Sequence, residues 1–363
     1  MDAVTARVVL ARAPGLTAAH VHALMAAVDS DIERVLDAGS LARIELPAHT
    51  RAFLEQPDRS AVLQDCHWLA ASGAQLLLST DALYPLQLAG APDPPAALFV
   101  LGDPRTLREP QLAMVGSRNP TPCGRRTARE FAASFARAGL TITSGLAIGI
   151  DAACHEGALQ GGGKTIAVCA TGLERVYPAQ HGGLAERIRE RGALVSEFAP
   201  STALRRANFP RRNRLISGLA VGTLVVEAAQ RSGSLITARH AADQGREVFA
   251  IPGSIYSPLS RGCHKLIRDG ATLVQEPAEL LAELRIPLKE EALVEGSRPS
   301  GAGSALDKGF EMLLDAVDFE PATVDVLAAR TGLAGEVITP MLLMLELEGR
   351  IASCAGGRYG RLP

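Results

Sequence analysis

The chain has 363 residues, 47% of them hydrophobic and 21% charged, which is the composition of a globular protein with more than one domain. No apolar run reaches the ~18–20 residues of a membrane span, and the start lacks the pattern of a secretory signal. We therefore expect a cytoplasmic protein with no membrane partner. Six scattered cysteines without a Cys-x-x-Cys pair favour reduced thiols over a zinc site or a disulfide framework.

The formal net charge of −2 hides an uneven distribution along the chain. Basic and acidic residues number 8 and 13 in residues 1–110, 21 and 11 in residues 111–270, and 8 and 15 in residues 271–363. The middle of the chain therefore carries a charge of +10. Such a charge predicts a polyanionic partner for that part alone.

The first 70 residues or so predict a bundle of short helices, because apolar residues recur there at helical spacings between glycine-containing turns. Thr17 is a candidate N-cap within this bundle, which resembles a helix-hairpin-helix arrangement. Residues 76–104 follow, with a β-like run at 76–78 and a proline-rich stretch. We interpret them as a connector into the main domain.

From residue 112 short apolar strands alternate with amphipathic helices. The predicted strands are 112–115, 140–143, 165–169, 193–196, 221–226, 247–250 and 271–274. The predicted helices are 122–138, 150–159, 180–191, 212–219, 234–244 and 262–269. This alternation predicts an α/β fold with a parallel, doubly wound sheet, whose ligands bind at the carboxyl ends of the strands.

The last part of the chain has a linker followed by a small domain. Residues 286–304 have the Gly, Ser and charged composition of a flexible linker. Three helical segments and a glycine turn able to close a hairpin follow, with the helices at 305–317, 323–331 and 335–348. This order predicts a winged helix over 305–363. Because residues 271–363 carry −7, we expect this domain to contact protein more than DNA.

Residues 205–214 contain five arginines in ten positions, together with Phe209 and Pro210. Arginine offers a fork of donors that matches phosphate oxygens, and an aromatic ring can stack on a base. The nearest acids in the sequence are Glu197 and Glu227. A solvated basic loop without a ligand is the alternative interpretation.

Three glycine-containing loops join predicted strands to predicted helices, where backbone N–H groups favour phosphate. They contain Gly116-Ser117-Arg118, Ser144-Gly145 and Ser232-Gly233-Ser234. Arg118 adds a cation to the first loop, and Lys265 lies beyond the sixth predicted strand, where it adds charge to the same rim. No loop matches the dinucleotide fingerprint or the P-loop, which disfavours a dinucleotide-dependent oxidoreductase.

Candidate catalytic residues are few. Asp151 is predicted to cap a helix, with a ligand contact as the alternative, and His155 is predicted to support packing. Tyr177 is predicted to pack within a loop, with stacking on a base as the alternative. The chain contains neither a Gly-x-Ser-x-Gly elbow nor a His-Glu-x-x-His pair. We therefore predict no catalytic residue, no metal and no cofactor.

Together these motifs resemble the DNA-processing protein A family, also called DprA or Smf. Six groups of residues carry the resemblance, in family order and over residues ~76–275. They are Val115-Gly116-Ser117-Arg118; Ser144-Gly145 with Gly149-Ile150-Asp151; Thr171-Gly172-Leu173 with Tyr177-Pro178; Phe209-Pro210 with Arg212-Asn213-Arg214 and Ile216-Ser217-Gly218; Glu227-Ala228 with Ser232-Gly233-Ser234; and Ile251-Pro252-Gly253. His264 and His181 depart from the pattern, since the family usually has Asn at both positions.

The resemblance implies an extended Rossmann fold that binds single-stranded DNA and loads the RecA recombinase onto it during natural transformation. It further implies a homodimer formed through the Rossmann domain, and no catalysis. The expected domains are a SAM-like or helix-hairpin-helix-like unit over 1–75, the Rossmann-like domain over 76–285, the linker over 286–304 and the winged helix over 305–363.

Under this interpretation the three loops hold neighbouring phosphates and the arginines line the DNA path. Phe209 either stacks on a base or plugs the loop from beneath, and one of Arg212 and Arg214 ties the loop down internally. The residues predicted to bind DNA are Gly116, Ser117, Arg118, Ser144, Gly145, Phe209, Arg211, Arg212, Asn213, Arg214, Ser232, Gly233, Ser234 and Lys265.

A rival interpretation is a nucleotide-cleaving hydrolase, because related Rossmann folds hydrolyse nucleoside monophosphates with an acid near a glycine-rich loop. Glu227 is the acid placed to do this, and its alternative role is to cap a helix or pair with an arginine. A pure interaction scaffold is a third interpretation, but it leaves the +10 region unexplained.

Overall fold

The computed structural model describes residues 1–285, 308–317 and 321–362. The predicted linker at 286–304 lies outside these residues. The chain opens with five helices, α1 (Ala3–Arg12), α2 (Ala18–Ala27), α3 (Ala38–Ala42), α4 (Ala48–Glu55) and α5 (Arg59–Ser72). The helical prediction for this part is confirmed, including its cap, since Thr17 Oγ1 accepts a hydrogen bond from His20 N.

The main sheet has nine strands. They are β1 (Gln75–Leu78), β2 (Ala97–Gly102), β3 (Gln111–Val115), β4 (Thr141–Ser144), β5 (Thr165–Val168), β6 (Ala193–Ser196), β7 (Gly222–Val225), β8 (Glu247–Ala250) and β9 (Thr272–Leu273). Their spatial order is β1-β2-β6-β5-β4-β3-β7-β8-β9. All neighbours from β6 to β9 pair in parallel, as predicted, for example Leu112 with Ile142 and with Gly222.

The interpretation of residues 76–104 as a connector is wrong, although the β-like run predicted at 76–78 is confirmed as β1. This segment supplies β1 and β2, which extend the sheet by two antiparallel strands. Strand β2 buries Leu98, Phe99 and Val100 completely. Phe99 joins Val8 and Leu10 of α1 in one apolar cluster, so the N-terminal helices pack directly on this end of the sheet.

Helices cover both faces of the sheet, as the doubly wound prediction requires. They are α6 (Leu86–Ala89), α7 (Pro122–Arg137), α8 (Ile150–Gln160), α9 (Gly182–Arg191), α10 (Asn208–Leu219), α11 (Ser234–Asp243), α12 (Arg261–Arg268) and α13 (Pro277–Leu284). Side chains of α10, α11 and α12 share one core with Val115 and Val225. Side chains of α7, α8 and α13 share the core of the opposite face with Met114 and Leu224.

The predicted winged helix is present. It consists of α14 (Lys308–Ala316), β10 (Ala322–Thr323), α15 (Val324–Thr331), α16 (Gly335–Leu347), β11 (Ile351–Cys354) and β12 (Arg358–Arg361). The three strands form a separate sheet in the order β10-β12-β11. No single helix among the described residues is long and apolar enough to cross a membrane, and α15 with α16 passes that test only as a pair bent by 107°.

Candidate functional site

A cavity of about 470 Å³ lies where the strand order of the main sheet reverses, between β3 and β7. Its walls are the loops after these two strands and the first turns of α10. This reversal is where doubly wound sheets open a crevice beyond the carboxyl ends of their strands. We call this cavity, which includes Arg118, Phe209 and Gly233, the switch-point pocket.

The loop after β3 holds Arg118 at the mouth of this pocket. Ser117 fixes the loop, because its N–H donates to Glu227 O at 2.7 Å and its Oγ accepts from Asn119 N at 3.1 Å. Gly116 is required by close packing, since a Cβ there would lie 2.7 Å from Ile150 Cγ1. Arg118 itself is exposed and forms no ion pair within the described ranges.

Phe209 lies in the first turn of α10 and is half-buried. The guanidinium carbon of Arg118 lies 4.9 Å from the centroid of its ring, which is a cation–π distance. Phe209 also lines a smaller cavity of about 100 Å³ with Arg118 and Tyr177. Tyr177 is 48% exposed and lines that cavity.

The second loop does not offer the anion site that was predicted. Ser144 is fully buried and its Oγ donates to Met114 O at 2.6 Å. The N–H groups of Gly145 and Ala147 donate to Asp151 Oδ2 at 3.2 and 3.4 Å. The backbone donors that were predicted to bind a phosphate therefore already bind a carboxylate of the protein itself. The prediction that Asp151 caps a helix is wrong, because the N-cap of α8 is Gly149 and Asp151 binds the backbone of the preceding loop instead.

The prediction that Arg212 binds DNA also needs correction, because its side chain is held inside the protein. It is only 4% exposed, and its Nη1 donates to Gly145 O at 2.5 Å and to Val168 O at 2.8 Å. Burial raises the pKa of the Asp151 carboxyl, and the nearby Arg212 guanidinium opposes that rise. Arg212 therefore fixes the floor of the switch-point pocket instead of lining an open path.

Arg211 and Arg214 are not as free of acids as the sequence spacing indicated. Arg214 Nη2 donates to Glu197 Oε2, and Arg211 Nε lies 3.4 Å from Glu197 Oε1. Burial raises the pKa of the Glu197 carboxyl, while Arg214 and Arg211 lower it. Arg214 is 16% exposed and is held internally, whereas Arg211 is 62% exposed and remains accessible.

The third loop completes the rim of the pocket. Ser232 Oγ and Ser234 Oγ are 2.7 Å apart, and Asn213 Nδ2 donates to Gly233 O at 3.4 Å. Gly233 is exposed at the start of α11, and so is Arg231 just before it. Arg231 was not predicted as a site residue, although its position before the small-residue turn matches the pairing of cation and glycine in the first loop.

Lys265, His181 and His264 do not line the pocket. Lys265 is exposed on α12. The departures from the family pattern are accommodated by backbone contacts, since His181 Nδ1 lies 2.9 Å from Leu146 O and His264 Nε2 lies 2.9 Å from Gly253 O.

Glu227, the acid of the hydrolase interpretation, lines a different cavity. Its carboxylate accepts from Thr121 N at 2.9 Å and from Thr121 Oγ1 at 2.6 Å, at the start of α7. A Cβ on Gly124 would clash with this carboxylate, which confirms how closely it is packed. Among the described residues, no group of three His, Cys, Asp or Glu is placed to hold a metal ion.

The doubly wound sheet with a glycine-turn pocket at its switch point defines a Rossmann-like α/β protein. Residues 75–285 match the family described as DNA recombination-mediator protein A, and residues 297–357 match the DprA winged helix domain. The chain belongs to the DNA-processing protein A (DprA/Smf) family.

Relatives and solved structures agree with this assignment. Protein Smf of Escherichia coli is 46% identical over 312 residues, which cover 85% of this chain and 83% of that protein. DNA processing protein A of Streptococcus pneumoniae superposes with a TM-score of 0.67 and 35% identity, over 79% of this chain and all of that one. The Helicobacter pylori protein, studied for its single-stranded DNA binding mode, superposes with a TM-score of 0.53 and 27% identity, over 58% of this chain and 95% of that one.

Proposed function

We propose that this protein binds single-stranded DNA through the switch-point pocket and loads the RecA recombinase onto it in natural transformation, without catalysing a reaction. The DNA-binding part of this proposal is supported above all by the position of Arg118. Its guanidinium is exposed, forms no ion pair within the described residues and lies against the ring of Phe209. A phosphate bound there would place the neighbouring base within reach of an aromatic face.

The charges around the pocket favour a chain of phosphates over a single one. Arg205, Arg206, Arg211 and Arg231 are exposed near the start of α10 or on the third loop. A strand that passes Arg118 would also meet Arg231, which lines the same pocket, and Arg211, which follows Pro210 at its edge. Flexible single strands can follow such a curved path and expose their bases for stacking.

The recombinase partner, the homodimer and the absence of catalysis rest on membership of the family. The Helicobacter pylori relative, studied for binding single-stranded DNA, supports the nucleic-acid ligand. The closed contacts of Glu227 with Thr121 support a structural role for the acid that a hydrolase would need.

Equilibrium binding of labelled single-stranded and duplex oligonucleotides of one length tests the DNA-binding part. We expect the single strand to bind more tightly, because the pocket combines phosphate contacts with a ring that only an unpaired base can reach. Equal binding of both forms would contradict this. Turnover of a nucleotide panel by the wild type, lost in Glu227→Gln, would favour the hydrolase instead.

RecA loading has its own test. RecA filament growth would be followed on single strands coated with single-strand-binding protein, with and without this protein. We expect filaments to form faster in its presence, and no acceleration would contradict the loading role.

Sedimentation of residues 1–285 against the whole chain tests whether the homodimer forms without the winged helix.

A further inference from the structure

A second cavity, of about 760 Å³, lies between the N-terminal helices and the main sheet. It is bounded by the turn after α1, the proline-rich stretch before β2, the loop after β6 and the start of α10. We call it the proline cavity. Pro210 lines both this cavity and the switch-point pocket, so the two adjoin on either side of a single residue.

The walls of the proline cavity suit a flat ring. Phe53, Phe198 and several prolines supply apolar surface. The guanidinium carbon of Arg211 lies 5.2 Å from the centroid of the Phe198 ring, and 62% of the Arg211 side chain is exposed. A guanidinium plane held over an aromatic ring can stack on a nucleobase with its outer face.

Two carboxylates and the guanidinium groups of Arg12, Arg211 and Arg214 give the cavity its polarity, and each guanidinium is already paired with a carboxylate. The Glu197 side chain is only 5% exposed. Its Oε1 accepts no hydrogen bond from a described residue, although Arg211 Nε lies 3.4 Å away. Asp93 also lines the cavity, is 74% exposed, and lies 3.5 Å from Arg214 Nε. Ionised carboxylates only accept hydrogen bonds, so a ring bound beside them must present a donor.

Nucleobases differ in this respect. Cytosine presents an exocyclic amino group, which Asp and Glu accept from, whereas thymine presents a carbonyl oxygen and a methyl group at the same position. A thymine carbonyl facing Asp93 or Glu197 would pair two acceptors. The cavity chemistry therefore discriminates between two bases of the same size.

We propose that the proline cavity is a nucleobase site of the single-strand path, which receives a base of the strand bound at the switch-point pocket and prefers cytosine over thymine. This inference rests on the proposed function. It gives the N-terminal helices a share in DNA binding, because the turn between α1 and α2 forms one wall.

The test compares oligo-dC with oligo-dT of one length on the whole chain at neutral pH. A carboxylate that accepts from the correct base contributes about 1–3 kcal/mol of discrimination, so we expect dC to bind ~5- to 160-fold more tightly than dT. In Asp93→Asn, whose amide can donate to a thymine carbonyl, we expect this ratio to fall toward one. Asp29→Asn, an exposed site after α2 with a φ of 51° that Asn tolerates, should keep the wild-type ratio.

Each outcome decides. Equal wild-type affinities for dC and dT would overturn the base site while single-strand binding stands. Binding of neither oligonucleotide would overturn both the base site and the proposed function. An unchanged preference in Asp93→Asn and in a folded Glu197→Gln would overturn the role of the carboxylates. Because Asp93 is exposed, its variant decides the question even where Glu197→Gln fails to fold.

Discussion

Replacing Arg118 by alanine removes the one cation of the first loop while leaving the fold intact. The side chain is exposed, and its only described contact is with the ring of Phe209. The loop itself is fixed by backbone and hydroxyl contacts of Ser117, which the substitution leaves in place. We therefore expect a loss of DNA affinity with little change in thermal stability.

The size of the loss follows from what the guanidinium does. A hydrogen bond to a charged group contributes about 1.5–3 kcal/mol, and Arg118 forms no ion pair with a described residue in the free protein. This corresponds to a dissociation constant that is ~13 to 160 times larger. Arg211 differs, because its ion pair with Glu197 already satisfies part of its charge, so Arg211→Ala should cost less.

Fluorescence anisotropy with a labelled single strand measures the DNA affinity of both variants. The matched control is Arg137→Ala, which removes the same charge from an exposed site at the last residue of α7. Helix α7 has 16 residues and is about 24 Å long, so Arg137 lies toward the opposite edge of the sheet. Equal affinities of Arg118→Ala and Arg137→Ala would refute the assignment of the pocket.

Phe209→Leu should weaken single-strand binding by about 1–3 kcal/mol without changing its salt dependence, because a stacking ring is lost and no charge. Gly145→Ala should lower the free energy of unfolding by about 1–3 kcal/mol in urea titrations, because its Cβ clashes with Arg212 Nη1, whereas Gly182→Ala, in open space, should not. Burial lowers the pKa of His155 from 6.5 to about 3, so the unfolded chain binds the proton first as pH falls. Wild-type stability should then decrease below pH 6.5 by ~1.4 kcal/mol per pH unit more than that of His155→Asn, and parallel pH profiles would contradict this.

The main sheet was predictable because its central strands are short apolar runs, each followed by an amphipathic helix. Strand β2 was missed because it follows a proline-rich stretch, although Leu98 to Val100 are as apolar as any central strand. Helix α10 begins at Asn208, four residues before its predicted start. Pro210 made that segment resemble a loop, yet proline is tolerated within the first turn of a helix.

The site was predictable where function depends on local sequence, and not where it depends on distant partners. Arg118 follows a strand and a glycine, and that pattern alone places it at the mouth of the pocket. Arg212 looks equivalent in sequence, but the carbonyls that bind it belong to Gly145 and Val168, which come from other strand ends. Likewise, nothing local to Ser144 shows that its hydroxyl is bound to a neighbouring strand.

The salt dependence of single-strand binding by the wild-type protein tests the central claim most directly. Three exposed arginines line or adjoin the path at positions 118, 211 and 231. At a slope of about −0.7 per phosphate contact, log K should fall linearly with log salt with a slope of about −2. An affinity that does not change with salt, or no binding at low salt, would contradict a phosphate-tracking pocket.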